Sequence, residues 1–141
     1  IDVGHSQLAE KLKSEPRLKN IEGYNARELS RKGLEERGCE AEFDLIVIDV
    51  SFISIELILP RCVELMHSQS ELLSLVKPQF EVGPEGLGKG GIVRDPKHYQ
   101  ILEQKLRDVC KRVNLTIEDY FESEIEGGDG NREFFLHAKR S

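Results

Sequence analysis

No stretch of this sequence is apolar for long enough to cross a bilayer, which argues against a helical membrane span. It also lacks a basic excess: 20 Lys and Arg stand against 26 Asp and Glu, a net charge of −6. A stand-alone nucleic-acid binder usually needs a basic face, so that class is disfavoured. An enzyme that borrows its affinity from another domain is not. The cysteines, Cys39, Cys62 and Cys110, are odd in number, widely spaced and form no Cys-x-x-Cys pair. They read as reduced, buried thiols of a cytoplasmic protein. His5, His67, His98 and His137 do not cluster at ligand spacing, so no metal site is expected. Internal repeats and low-complexity tails are absent as well.

What is present fits one soluble globular domain. The 141 residues are 38% hydrophobic and 33% charged, enough for a single sizeable core. Three separated stretches stand out: Leu45-Ile46-Val47-Ile48-Asp49, Leu73-Ser74-Leu75-Val76-Lys77-Pro78 and Gly130-Asn131-Arg132-Glu133-Phe134-Phe135-Leu136. Each sets a charged residue against an apolar, strand-like run. A charge is costly to bury alone, so a fold that keeps Asp49, Lys77 and Glu133 in such places is expected to bring them together. Each has a plainer reading too. Asp49 could cap a helix, Lys77 could reach to water, and Glu133 could open an edge strand.

The pattern alternates helix and strand. Ser6 to Ser14 predicts a helix capped by Ser6, with Leu8 and Leu12 on one face, and Leu18 to Tyr24 a short strand. Arg27 to Arg37 reads as a solvated helix or loop. Phe43 to Val50 is continuously apolar, as for a parallel strand covered on both faces. Ser54 to Gln69 predicts a helix whose main part begins at Pro60, and Leu72 to Val76 a second buried strand. Gly83 to Gly91 must be a loop. Asp95-Pro96 starts a helix whose Tyr99, Leu102, Leu106, Val109, Cys110 and Val113 share one face. Leu115 to Phe121 and Glu133 to Ala138 close the chain as strands, and this last pair is near enough in sequence to run antiparallel. The result is an α/β fold, a three-layer, mostly parallel sandwich. Ligands of such sheets bind beyond the carboxyl ends of the strands, where Asp49 and Lys77 lie.

With those residues placed, the sequence resembles the TlyA-type, or hemolysin A, group of FtsJ-like RNA methyltransferases. The matching stretches are Asp2-Val3-Gly4 with Gln7-Leu8, Asn25-Ala26-Arg27, Asp44 to Ser54, Val76-Lys77-Pro78-Gln79-Phe80-Glu81, Gly88 to Pro96 and Gly127 to Glu133. Taken jointly they are specific. The resemblance implies a Rossmann-like sheet and transfer of a methyl group from S-adenosylmethionine to a ribose 2′-hydroxyl of ribosomal RNA. It implies that Asp49, Lys77 and Glu133 match three members of a Lys–Asp–Lys–Glu tetrad. It also implies that Asp2 meets the cofactor ribose, that Asn25 and Ala26 flank the adenine, and that Asp49 lies near the methyl donor. The partner would be ribosomal RNA or a ribosomal subunit, with no membrane role.

The family's first strand, its glycine-rich cofactor loop, the first lysine of the tetrad and a small S4-like domain would all precede Ile1. The abrupt Ile1-Asp2-Val3-Gly4 opening reads as the end of a strand that starts upstream. On this expectation residues 1–141 are a partial methyltransferase domain, inactive alone. Its open strand edge would invite dimerisation or strand exchange, or a rearranged Ile1–Glu28 segment.

A ribose hydroxyl is a poor nucleophile and must lose its proton as it attacks in line. A lysine helps either neutral, as the base, or charged, as a stabiliser of the forming alkoxide. Asp49 would orient Lys77, and Glu133 would complete the network and help position substrate. The Gly83–Gly91 loop would act as a flap, with Lys89, Arg94 and Arg132 meeting phosphates. A phosphate-loop NTPase is a poor fit, because Gly90 stands where a magnesium-binding Ser or Thr is needed. Two other classes compete: a non-catalytic RNA- or ribosome-binding module on a degenerate methyltransferase fold, and a cytolysin. The charge cluster argues against the first, and the mixed-charge polar face of the Tyr99–Val113 helix against the second.

Overall fold

Four apolar runs pair into one sheet in a computed structural model that describes residues 1–141. The strands are β1 (Phe43–Ile48), β2 (Met66–Val76), β3 (Leu115–Glu122) and β4 (Phe134–Arg140), in the spatial order β1-β2-β4-β3. β1 and β2 are parallel; β2 with β4, and β4 with β3, are antiparallel. The sheet of this chain is therefore mixed rather than mostly parallel. The short Gly127–Asn131 connection returns β4 against β3, and the return carries β4 into the place beside β2.

Strand alternation sorts the sheet into two faces. Leu72, Ser74, Val76, Phe134, Leu136 and Ala138 are buried. All of these but Ser74 share one apolar core with Leu102, Leu106, Val109 and Cys110 of α3 (Lys97–Arg112). Tyr99 and Val113 pack at its margin, so α3 turns the expected face inward. Asp95 starts it, with its Oδ1 accepting from the Lys97 N–H at 2.9 Å. Burying each leucine of this face contributes about 1.5–3 kcal/mol. On the other face Leu73, Leu75 and Phe135 are half-buried, and Leu45 and Val47 are exposed, Val47 by 69%. β1 is thus not covered on both faces within this chain. It is the end strand of the sheet.

Three local expectations fail for physical reasons. The Ser6–Ser14 helix shrinks to one 3₁₀ turn, Glu10–Leu12, that buries nothing. So short a helix is unstable without an apolar face to bury. Ser6 itself adopts φ 58° instead of capping. Leu18–Tyr24 forms no strand, although it bonds back to the start of the chain through Asp2 N to Ile21 O (2.9 Å) and Tyr24 N to Asp2 O (3.1 Å). The helix expected to reach Gln69 ends at Val63, as the short α2 (Leu59–Val63). Met66–Gln69 instead begins β2, where Met66 pairs with Phe43. A bulge follows, and Ser70 fills it by donating to Phe43 O at 2.6 Å and accepting from His67 N at 2.8 Å. The Arg140 guanidinium binds the carbonyls of Val63 and Met66 at the break. Tertiary pairing thus overrides a locally polar, helix-compatible stretch.

The Arg27–Arg37 region is better anchored than its charge suggests. It holds a 3₁₀ turn, Ala26–Glu28, and α1 (Arg31–Glu35), with Leu29 and Leu34 in the core. All three cysteines are free. Burial pushes the thiols of Cys62 and Cys110 up to about 12 and about 11, while Cys39 is only half-buried. No helix is long and apolar enough to cross a membrane.

Candidate active site

β1 and β2 are parallel neighbours, so their carboxyl ends lie side by side. Asp49 is the residue after β1 and Lys77 the residue after β2. Their side chains meet, with Lys77 Nζ 2.7 Å from Asp49 Oδ1. Lys77 also donates to Ser51 Oγ at 3.1 Å. The lysine side chain is 16% exposed and that of the aspartate 69%. An ion pair with so exposed an acid contributes only about 0–1 kcal/mol, too little to hold the two loops together by itself.

Glu133 comes from the third strand end. The β2–β4 register pairs Val76 with Phe134, so Glu133 faces Lys77 one step beyond the ladder. The Glu133 side chain is nearly buried, but Lys77 pairs with Asp49 and not with Glu133. Instead the carboxylate lies under the 127–131 turn. A Cβ added to Gly127 would stand 2.6 Å from Glu133 Oε1, so any larger residue there has to displace the carboxylate. The structure thus joins two of the three expected charges and sets the third on the adjacent strand end.

Asp49 also lines a cavity of about 490 Å³, a volume typical of small-ligand sites. Asp2, Asn25 and Ala26 line the same cavity, with Val50, Ile53 and Ile58 as apolar wall. The four residues matched to the cofactor therefore surround one space, although they lie up to 47 positions apart. Asp2 Oδ1 accepts from Gly4 N at 2.7 Å, and Asn25 caps the 3₁₀ turn through Arg27 N. Phe52 stands at the edge of this cavity. It is 89% exposed, holds φ 62° and rests against Phe80 with ring centroids 4.8 Å apart. A bulky residue with positive φ is strained, so the turn spends stability to present an aromatic face beside the Asp49–Lys77 pair.

The glycine-rich loop is tethered. Leu87 bridges Val93, and Gly88 N donates to Ile92 O at 2.7 Å. Asn131, 1% exposed, ties the loop to the turn that carries Glu133. Its Oδ1 accepts from Val93 N at 3.2 Å, and its Nδ2 donates to Gly91 O at 3.1 Å. Of the residues expected to meet phosphate, Lys89 and Arg94 are exposed. Arg132 is engaged elsewhere: it forms a two-pronged pair with Glu122, and its guanidinium lies 4.8 Å from the centre of the Tyr99 ring.

Sequence reasoning passed over Asn131 as a role-bearing residue, and also Glu81. Glu81 accepts from Ser54 Oγ at 2.6 Å and from Ile55 N at 2.8 Å. Burial raises its carboxyl above the usual range, against the lowering effect of those two hydrogen bonds. The only available signal was its place at the end of the Val76–Glu81 motif.

Comparison with known proteins identifies the family. A family model described as FtsJ-like methyltransferase matches residues 1–140. YqxC of Bacillus subtilis, provisionally named an rRNA methyltransferase, is 41% identical over 97% of this chain and 47% of its own length. The Mycobacterium tuberculosis protein named 16S/23S rRNA (cytidine-2′-O)-methyltransferase TlyA is 37% identical over 96% of this chain and 48% of its own. A Lactococcus lactis protein described as a hemolysin superposes with a TM-score of 0.89 at 37% identity, covering 99% of this chain and 65% of that one. The chain spans about half the length of the curated relatives it matches. On a match over nearly every residue, this chain belongs to the FtsJ-like methyltransferase family.

Proposed function

We propose that residues 1–141 form the larger part of the catalytic domain of a longer protein, one that transfers a methyl group from S-adenosylmethionine to a ribose 2′-hydroxyl of ribosomal RNA. One observation carries the reading: Lys77 Nζ lies 2.7 Å from an aspartate that also lines a nucleoside-sized cavity. The lining suits that cofactor. Asp2 offers a carboxylate to a ribose diol, Asn25 and Ala26 flank a base, and Ile53 and Ile58 supply apolar wall. When bound there, the cofactor supplies an electrophilic methyl group.

The chain's own residues do the rest. Asp49 fixes Lys77 Nζ at the mouth of the cavity, with Ser51 as second partner. From there Lys77 Nζ serves in one of two ways: as the neutral amine it accepts the proton that the attacking hydroxyl gives up, or as the ammonium it stabilises the alkoxide as it forms. Glu133, on the neighbouring strand end, positions the substrate ribose. Phe52 presents its ring to the target base, whose π-face stacks on an exposed aromatic. Lys89 and Arg94 on the tethered loop meet backbone phosphates. The net charge of −6 leaves bulk affinity for RNA to the rest of the longer protein.

The test is to map ribose methylation on ribosomal RNA from cells with and without the intact gene. Loss of a 2′-O-methyl mark with the gene, restored by the wild type, supports the reading. An unchanged methylation map contradicts it.

A further inference from the structure

The Asp49–Lys77 pair needs an external brace. Its acid is mostly exposed, and its lysine hangs on a flexible stem. The two loops that carry the pair nevertheless meet at three points. Nearest the sheet are the Lys77 bonds to Asp49 and Ser51. Next, the rings of Phe52 and Phe80 lie 4.8 Å apart. Last along the chain, Glu81 Oε2 accepts from Ser54 Oγ at 2.6 Å and Oε1 from Ile55 N at 2.8 Å. The last contact uses both carboxylate oxygens on two consecutive residues of the opposite loop. It also starts the next element, because Ser54 caps the 3₁₀ turn Ile55–Leu57 and Ile55 is 2% exposed in the core.

Glu81 forms no ion pair, and burial works against its charge. Lys105, a cation close enough to influence it, is itself paired with Glu56 at 2.9 Å. A carboxylate kept in such a place has a geometric use or none.

We propose that Glu81 is a positioning residue for methyl transfer: it clamps the loop after Asp49 onto the loop after Lys77, and so sets the pair and the Phe52 ring in working geometry. The proposal rests on the methyltransferase reading above. Glu81 touches neither cofactor nor substrate and acts through Ser54 and Ile55. A glutamine can keep both contacts, accepting from Ile55 N and donating to Ser54 Oγ; an alanine keeps neither.

The test compares Glu81→Ala, Glu81→Gln and Lys77→Ala in the intact protein. Methyl transfer, cofactor affinity and hydrogen exchange of the 51–57 segment are measured for each. For Glu81→Ala, kcat is expected to fall about 10- to 100-fold, the scale of a small misplacement of reacting groups, with cofactor Kd changed less than about threefold. Its Ile55 amide should exchange faster. Glu81→Gln should recover most of the turnover and the protection. Normal turnover in Glu81→Ala, or a Glu81→Gln as impaired as Glu81→Ala, overturns the proposal. Should Glu81→Ala fail to fold, Ser54→Ala, which removes only one of the two contacts, replaces it under the same criteria. The two readings fail separately. Normal turnover in Lys77→Ala defeats the methyl-transfer role of the pair; a dead Lys77→Ala beside a normal Glu81→Ala defeats only the clamp.

Discussion

Replacing Asn131 with alanine should free the glycine-rich loop while leaving the sheet intact. The Asn131 side chain makes two bonds to that loop, from Val93 N at 3.2 Å and to Gly91 O at 3.1 Å. The bond from Gly127 N uses the Asn131 backbone carbonyl and survives the change. Other loop bonds, among them Gly88 N to Ile92 O and Arg94 N to Gly86 O, are internal and hold its shape rather than its place. Two net hydrogen bonds of about 0.5–1.5 kcal/mol each amount to about 1–3 kcal/mol. At about 1.4 kcal/mol per decade, the undocked loop becomes roughly 5- to 150-fold more populated. Lys89 sits at the loop's exposed tip, so limited trypsin digestion reads that population directly when docking is fast relative to cleavage. The first cut should move to Lys89 and speed up by that factor, with the unfolding of the sheet still a single transition. An unchanged rate at Lys89 would show that the two bonds do not hold the loop and would refute the tether.

Further expectations concern the carboxylates and the exposed ring. Glu81 has a raised folded pKa, so the folded state binds its proton more tightly than the unfolded chain. Stability should therefore fall as pH rises from the ordinary glutamate range near 4.5 through the raised value; Glu81→Gln should remove this slope, visible as melting temperature against pH. Gly127→Ala places a methyl 2.6 Å from Glu133 Oε1, so it should displace that carboxylate and lower turnover, with cofactor titration unaffected. Phe52→Gly relieves a φ of 62° but gives up the ring contact with Phe80, effects of opposite sign and similar size, so the melting temperature should change little while RNA methylation drops.

The parts legible in the sequence were those where local pattern and tertiary environment agree. The spacing of Leu102, Leu106, Val109 and Cys110 has one physical reading, a helix on a core, and the structure buries those residues. The strand ends at Asp49 and Lys77 were legible because a charge after an apolar run marks where a strand leaves the sheet. Met66–Gln69 was not legible, since its strand character comes from pairing with Phe43, 23 positions away, and from Ser70 filling a bulge. The covered face expected for β1 also depended on what packs against Leu45 and Val47, which its own residues do not encode. Asn131 and Glu81 look like ordinary turn and loop residues along the chain. Their importance comes from partners 26 to 40 positions distant. The same holds for Glu133, whose strand position was legible but whose side chain turns toward Gly127 rather than Lys77.

In the proposed reaction Lys77, held by Asp49, handles the proton during methyl transfer. Single-turnover methylation of ribosomal RNA by the intact protein, wild type against Lys77→Ala, tests it most directly when cofactor affinity is measured on the same samples. A loss of at least about 100-fold in the transfer rate is expected, the scale of a missing general acid–base group, with cofactor affinity unchanged. Transfer at the wild-type rate in Lys77→Ala would contradict it.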